Sequence, residues 1–481
     1  MTAFEVPGVS LAIVKDGHVV VAKGYGVRKL GEPAMVDAKT RFGIASNTKA
    51  FTATALGILV DEGKIRWDAP VIDYLPWFQM SDPYVTRQLS VRDLLVHRSG
   101  LGLGAGDLLW WPPSTYTRKE VAQRLRYLPL ATSFRSAYAY DNVLYIVAGE
   151  LIEAVSGQPW EDFMSSRVLA RVGMTDSTVR HSDAAKSGNI AAPHARVEGK
   201  VRPIAPFTSD TTNAAGGINS NAGDMAKWML VQLDEGKLAD GTALVRPATA
   251  RQLTTVVTPM PLGQPPPELR AVFPNFAGYG LGFVLNDYRG HKLVSHNGGL
   301  PGYVSKVAML PDQHLGVAVL TNQESTAAHD AIAYSILDAY LGAKLDWIAT
   351  FQGLAKRQSE ANTSTTKASA AARDAASKPS LPLERYAGTY HDAWYGDMTI
   401  AGGASGLTIT FDRTPSLSGT LEHWQYDTFV AKWTDRELRA DAFVTFSLNP
   451  DGTVDTVKMR AVSPETDFSF DFQDLLFRRV R

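Results

Sequence analysis

The stretch Phe42-Gly-Ile-Ala-Ser46-Asn-Thr-Lys49-Ala-Phe51-Thr-Ala-Thr-Ala-Leu56-Gly-Ile-Leu59-Val60 constrains this chain more than any other. Phe51, Ala55 and Leu59 recur four residues apart, as do Leu56 and Val60, which predicts a helix with one buried face and Ser46 at its start. Lys49 then lies one turn from Ser46 on the same side, with its amine beside the hydroxyl. The helix N-terminus adds N–H groups and a positive dipole end that favour a developing oxyanion. A serine alcohol needs a basic partner to act as a nucleophile, and a lysine serves as one when an apolar surrounding desolvates it. Ser46 and Lys49 are the candidate nucleophile and base. Spacing alone does not carry this assignment: Ser364-Thr-Thr-Lys367 repeats S-x-x-K in an Ala/Ser/Thr/Lys tract without apolar periodicity, where the reading is a solvated linker.

At 481 residues the chain exceeds the ~150 typical of one domain, so more than one folding unit is expected. Hydrophobic residues make up 45% and charged residues 20%, a globular balance. Lys plus Arg (48) nearly equals Asp plus Glu (49), so no overall field draws nucleic acid or an anionic membrane. The absence of cysteine rules out thiol catalysis, disulfides and thiolate metal sites. No apolar run approaches the ~20 residues of a membrane span, and no signal-like segment opens the chain.

Val9–Val14 and Val19–Tyr25, joined by Asp16-Gly17, read as a β-hairpin. The Ser46 helix ends at Gly63, and Leu89–Leu95 reads as a short helix capped by Ser90. From Trp67 to about Phe207 helical text predominates, with helices over 120–127, 143–155 and 160–172, and Asn221 caps a further one. Strands return at 278–285, 292–296, 304–309 and 315–320, divided by Asp287, Asn297-Gly-Gly and Pro311-Asp312, before a helix over 327–341. Strands at both ends with helices inside give an α+β fold: an antiparallel sheet flanked by helices, with a helical insertion at about 67–207. This domain spans 1–343. A linker covers 344–380, and 381–481 alternates throughout as a small antiparallel β-barrel.

Acyl transfer from a serine also needs a proton carrier for the leaving group and two oxyanion donors. Tyr140-Asp-Asn142, ahead of an amphipathic helix, brings a phenol and a carboxamide together. His296-Asn-Gly298-Gly299 follows an apolar strand, where glycines let a substrate approach the backbone. His97, beside glycines, reads as a structural hydrogen-bonder, and His314 as a surface residue. His391 and Asp392 are adjacent on a strand, point to opposite faces and cannot share an ion. G-x-S-x-G and H-E-x-x-H are absent, against an α/β-hydrolase or a zinc peptidase.

In order and separation, Ser46-x-x-Lys49, Tyr140-x-Asn142 and His296-x-Gly298 resemble the three motifs of penicillin-recognising serine hydrolases: class C β-lactamases, DD-peptidases, D-aminopeptidases and family VIII carboxylesterases. Val6-Pro-Gly-Val9, Leu94-Leu-Val-His97-Arg-Ser-Gly100 and Gly216-Gly217 agree, and the tail from Leu381 resembles the lipocalin-like domain attached to many such enzymes. The resemblance implies a β-lactamase-like fold and a cofactor-free, metal-free acyl-enzyme mechanism on a small-molecule or short-peptide substrate. Ser46 would attack, Lys49 and Tyr140 would exchange its proton, and Tyr140 with His296 would assist the leaving group. The backbone N–H groups of Ser46 and Gly299 would hold the oxyanion, and Asn142 would orient the substrate. Two features depart from the pattern. His296 stands where β-lactamases place a carboxylate-binding lysine, and Met1–Glu5 leaves no room for the helix that usually precedes the first strand. A peptidase or amidase on small or D-residue-containing peptides therefore ranks first, a family VIII-type carboxylesterase next, then a β-lactamase; the non-enzymatic alternative is a penicillin-binding-type sensor.

Overall fold

The computed structural model describes residues 1–186, 188–403 and 406–480, with the side chains of 184–186 left out of the description. The chain forms two compact units: Met1–Phe78, Pro83–Gly100 and Thr132–Ala355 make the first, and Gln79–Asp82, Leu101–Ala131 and Lys356–Arg481 the second.

The first unit is built on an eight-stranded antiparallel sheet: β1 (Gly8–Lys15), β2 (His18–Gly26), β3 (Thr258–Pro259), β4 (Ala277–Tyr279), β5 (Val284–Tyr288), β6 (His291–Leu300), β7 (Tyr303–Leu310) and β8 (Leu315–Thr321), in the order β2-β1-β8-β7-β6-β5-β4-β3. Asp16 and Gly17 both take positive φ in the β1–β2 turn, as that dipeptide favours. Leu315, Val317 and Val319 of β8 join Ala328, Ala331 and Leu337 of the helix Thr326–Tyr340 in one apolar cluster. On the opposite face, a Cβ at Gly316 would lie 3.1 Å from Met229 Sδ of the helix Ala222–Leu233. Covered on both faces, β8 reads as an unbroken apolar run without polar alternation.

The helix α1 (Thr48–Asp61) departs from the expected single buried face, because every residue from Thr48 to Leu59 is buried. Its polar positions carry this burial by bonding inward: Thr52 Oγ1 donates to Ala214 O (2.7 Å) and Thr54 Oγ1 to Ala50 O (2.8 Å). Three further expectations need correction. Leu89–Leu95 holds only a 3-10 turn (Arg92–Leu95), since the Asp93 carboxylate turns back to the Ser90 N–H and hydroxyl. The helix over 160–172 has a π-helical middle, Met164–Leu169. Asn297-Gly-Gly does not end its strand: β6 continues to Leu300, and the chain reverses at Pro301-Gly302, with Gly302 at φ +78°.

The second unit carries a closed barrel of eight antiparallel strands, from Gly388–Asp392 to Phe477–Arg479, each paired with its successor and the last with the first. Aromatic rings fill it: Tyr386 lies 4.8 Å from Phe446 and Phe411 5.7 Å from Phe477, centroid to centroid. Leu101–Ala131 belongs to this unit, held by the Asp471 carboxylate, which accepts the N–H groups of Gly106 (2.6 Å) and Leu108 (3.0 Å). His391 is exposed against Asp397 (2.5 Å), while buried Asp392 accepts N–H bonds from Trp394, Tyr395 and Leu476, so the two side chains do lie on opposite faces. Within the stretch read as a linker, Trp347–Ala371 is one 25-residue helix, consistent with the high helix propensity of Ala, Lys and Gln. Ser364 and Lys367 are both exposed on it.

Candidate active site

All seven residues singled out for chemistry lie in the first unit. Ser46 sits in a 3-10 turn, Ala45–Asn47, that feeds α1. It is the half-buried residue in a run otherwise buried from Phe42 to Leu59. Two neighbours fix this turn. On one side Ile44 N–H donates to Ile218 O (3.0 Å), and Phe42 and Gly43 pair with Ser220 and Asn219. On the other, Ser305 Oγ of β7 donates to Ile44 O (2.7 Å) and accepts from Asn47 Nδ2 (2.8 Å). Between these anchors Ala45 takes φ +49°, a left-handed conformation that a non-glycine residue holds only where its surroundings over-determine it.

Lys49 is completely buried, unlike Lys367 at the same spacing from its serine. Its Nζ lies 3.1 Å from Ser46 Oγ, 2.7 Å from Asn142 Oδ1 and 3.1 Å from Ala215 O. The carboxamide oxygen and the carbonyl can only accept, so two of the Nζ–H bonds are spent on them and the remaining position of the nitrogen faces the Ser46 hydroxyl. Asn142 stands at the N-cap of the helix Val143–Ser156 yet makes no capping bond, its oxygen being committed to Lys49. A side chain that forgoes its usual local partner marks a site where function outranks local propensity. The Tyr140 ring lies under the ammonium position, 4.9 Å from Nζ to centroid, and 6.2 Å from the His296 ring.

His296, buried on β6, is turned away from proton donation. Its Nδ1 lies 2.6 Å from Asn297 O, which only accepts, so Nδ1 carries the proton and Nε2 accepts from the Tyr279 hydroxyl at 2.8 Å. Burial, reinforced by the Lys49 charge, lowers its pKa to about 3 and keeps the ring neutral. The two glycines behind it differ. A Cβ on Gly298 would fall 2.2 Å from Ile44 O and 2.4 Å from Ser305 Oγ, so this strand meets the serine turn only without a side chain. Gly299 is exposed, with no atom within 4 Å of its Cβ position.

Sequence reasoning missed Ser305, Tyr279 and the Ala215 carbonyl, since a serine in an apolar strand, a strand tyrosine and a backbone oxygen carry no motif. Asp141, between the two motif residues, is buried, and burial pushes its carboxyl up to about 7 against the opposing pulls of the Leu144 N–H and Lys49. A folded-state pKa above the unfolded 3.8 means that the folded chain holds this proton where the unfolded one has lost it. The stabilising contribution is complete below about pH 4 and disappears as the pH rises through 7. Asp141→Asn should therefore gain on the parent protein by about 1.4 kcal/mol per pH unit across that window. Urea unfolding of both proteins at pH 5 and pH 8 measures the change; an offset independent of pH would refute it.

Comparison with known proteins agrees with this architecture. The family profile described as "Beta-lactamase" matches residues 1–341, and that of a domain of unknown function, DUF3471, matches 372–479. The unguisins hydrolase ungD' of Aspergillus campestris is 27% identical over 474 residues, 94% of this chain and 85% of its own. Penicillin-binding protein 4 of Amycolatopsis lactamdurans is 27% identical over 67% of this chain and 82% of its own. Among solved structures, the octameric penicillin-binding protein homologue from Pyrococcus abyssi superposes with a TM-score of 0.62 at 22% identity, covering 99% of this chain and 97% of that one. A D-stereospecific amidohydrolase from Streptomyces covers 67% of this chain and 91% of its own, with a TM-score of 0.53 at 23% identity. The chain belongs to the beta-lactamase family of serine hydrolases.

Proposed function

We propose that this protein cleaves amide or ester bonds through an acyl-enzyme on Ser46. The observation that carries the reading is the buried Lys49 amine, 3.1 Å from a half-exposed serine and fixed there by two acceptors. As Ser46 Oγ bonds to the substrate carbonyl carbon, its proton passes to Lys49. The oxyanion is held by the N–H groups of Ser46 and Gly299. When the intermediate collapses, the C–N or C–O bond breaks and Tyr140 delivers a proton to the leaving group, recovering one from Lys49. Water then reverses these steps on the acyl-enzyme, while Asn142 orients the substrate. With both nitrogens of His296 occupied, assistance to the leaving group rests on Tyr140.

The same histidine supports a substrate class. Where a lysine would bind a substrate carboxylate, this site offers a neutral ring bonded inward. Small peptides or amides containing D-residues, and short esters, fit such a site better than β-lactams, whose carboxylate would lack its counter-charge. The named activity of the D-stereospecific amidohydrolase points the same way, and the unguisins hydrolase is likewise named a hydrolase. A panel of D-amino-acid amides, p-nitrophenyl esters and nitrocefin tests the reading. Amides or esters should be turned over with kcat/KM well above that for nitrocefin. Preference for nitrocefin would refute the substrate class, and no turnover of any would favour a sensor.

A further inference from the structure

We propose that His97 is the positioning residue for the Tyr140 phenol, an inference that rests on the reading of Tyr140 as the proton carrier. His97 grips the backbone on both sides of that tyrosine. Its carbonyl accepts the Ala139 N–H (3.0 Å), and its Nδ1 accepts the Asp141 N–H (3.2 Å). Between these two bonds its ring lies against the Tyr140 ring, 4.2 Å between centroids at 34°. One residue, through its carbonyl and its Nδ1, thus sets the path of the chain through Tyr140, with its ring alongside the phenol.

The segment bearing His97 is built as a rail. Carbonyls along it are taken: Leu95 O by the Tyr145 hydroxyl (2.7 Å), Val96 O by Thr258 Oγ1 (2.8 Å), Arg98 O by the Arg135 N–H (2.8 Å) and Gly100 O by the Thr132 N–H (3.1 Å). On this rail His97 holds φ +56°, a left-handed conformation uncommon for residues other than glycine. Because Nδ1 accepts, the neutral ring carries its proton on Nε2, which is buried without a hydrogen-bond partner. Burial and the Lys49 charge keep the ring uncharged. Space-filling alone would not call for a ring nitrogen here; the geometry uses Nδ1 and leaves Nε2 idle.

Asparagine places an acceptor oxygen where Nδ1 sits and tolerates the left-handed conformation, whereas glutamine reaches only to the Nε2 position. Two readouts on the full chain decide the matter. The first is the ring 13Cζ signal of Tyr140 in tyrosine-labelled protein, assigned by its loss in Tyr140→Phe. It should stay in place in His97→Asn and shift or broaden in His97→Gln and His97→Ala. The second is kcat on an amide, which should fall about 100-fold in His97→Ala and His97→Gln, the cost of an ångström-scale misplacement, with KM nearly unchanged and with recovery to within about three-fold in His97→Asn. Turnover of a p-nitrophenyl ester, whose leaving group departs unprotonated, should fall much less. If His97→Ala does not fold, the Asn and Gln variants decide. Equal behaviour of Asn and Gln, or an undisturbed Tyr140 signal in His97→Gln, would overturn the proposal. Wild-type protein that fails to label at Ser46 would instead sink the hydrolase reading, and the Tyr140 signal would still settle the positioning role.

Discussion

Lys49→Met is expected to lower kcat on amides and esters by about 10²–10⁴-fold, the range that a positioned general base supplies, while the protein remains folded. Methionine matches the length of the lysine stem and fills the same apolar slot, so the packing of α1 survives. What disappears is the acceptor for the Ser46 proton. The Asn142 carboxamide and the Ala215 carbonyl also lose a donor, and a buried acceptor left unsatisfied costs about 1–3 kcal/mol, so a fall in thermal midpoint accompanies the loss. Steady-state kinetics alongside thermal unfolding separates the two effects. Retention of more than a tenth of wild-type kcat would remove Lys49 from the catalytic set. Lys367→Met, on the exposed S-x-x-K copy, should change nothing.

Gly298→Ala is expected to be nearly as damaging, by a different route. The new methyl would sit 2.2 Å from Ile44 O and 2.4 Å from Ser305 Oγ, where ordinary contact begins near 3.4 Å. The Ile44 carbonyl cannot retreat freely, because Ser305 bonds it and the constrained Ala45 follows it into Ser46. Overpacking of this kind costs about 1–3 kcal/mol, and a shift of about an ångström at the nucleophile costs about 100-fold in kcat. Gly299→Ala, one residue further along the same strand, meets no atom within 4 Å and should leave the unfolding midpoint within about a degree. Equal stability and activity in the two alanine variants would show that the close approach at Gly298 is not what seats the serine turn.

Much of this was legible in the sequence, for identifiable reasons. Apolar periodicity and turn residues located most of the sheet strands, the central helix and the C-terminal barrel, because each is a local pattern; 278–285, read as one strand, is instead a hairpin of β4 and β5, and the two-residue β3 was not read. Three spaced motifs located Ser46, Lys49, Tyr140, Asn142 and His296, which the fold gathers from separate elements of one unit. What stayed hidden depends on distant neighbours. The full burial of α1 is imposed by helices far off in sequence, and hydroxyls of Thr52 and Thr54 that bond inward disguise it as a half-polar helix. Asn297-Gly-Gly spells a turn, but in the sheet Gly298 serves close approach to the Ser46 turn. Nor does any spacing announce that Ser305, 259 residues beyond Ser46, would clasp the nucleophile turn, or that the grip of His97 on Tyr140 would be formed by a ring nitrogen and a carbonyl.

The account stands on Ser46 as the nucleophile, and intact-mass spectrometry after treatment with a fluorophosphonate tests this most directly. Wild-type protein should gain one adduct, mapped by peptide sequencing to Ser46. Ser46→Ala should gain none and lose turnover of p-nitrophenyl esters by several orders of magnitude. An adduct on another residue, or a Ser46→Ala protein that still turns over those esters at near wild-type rates, would contradict it.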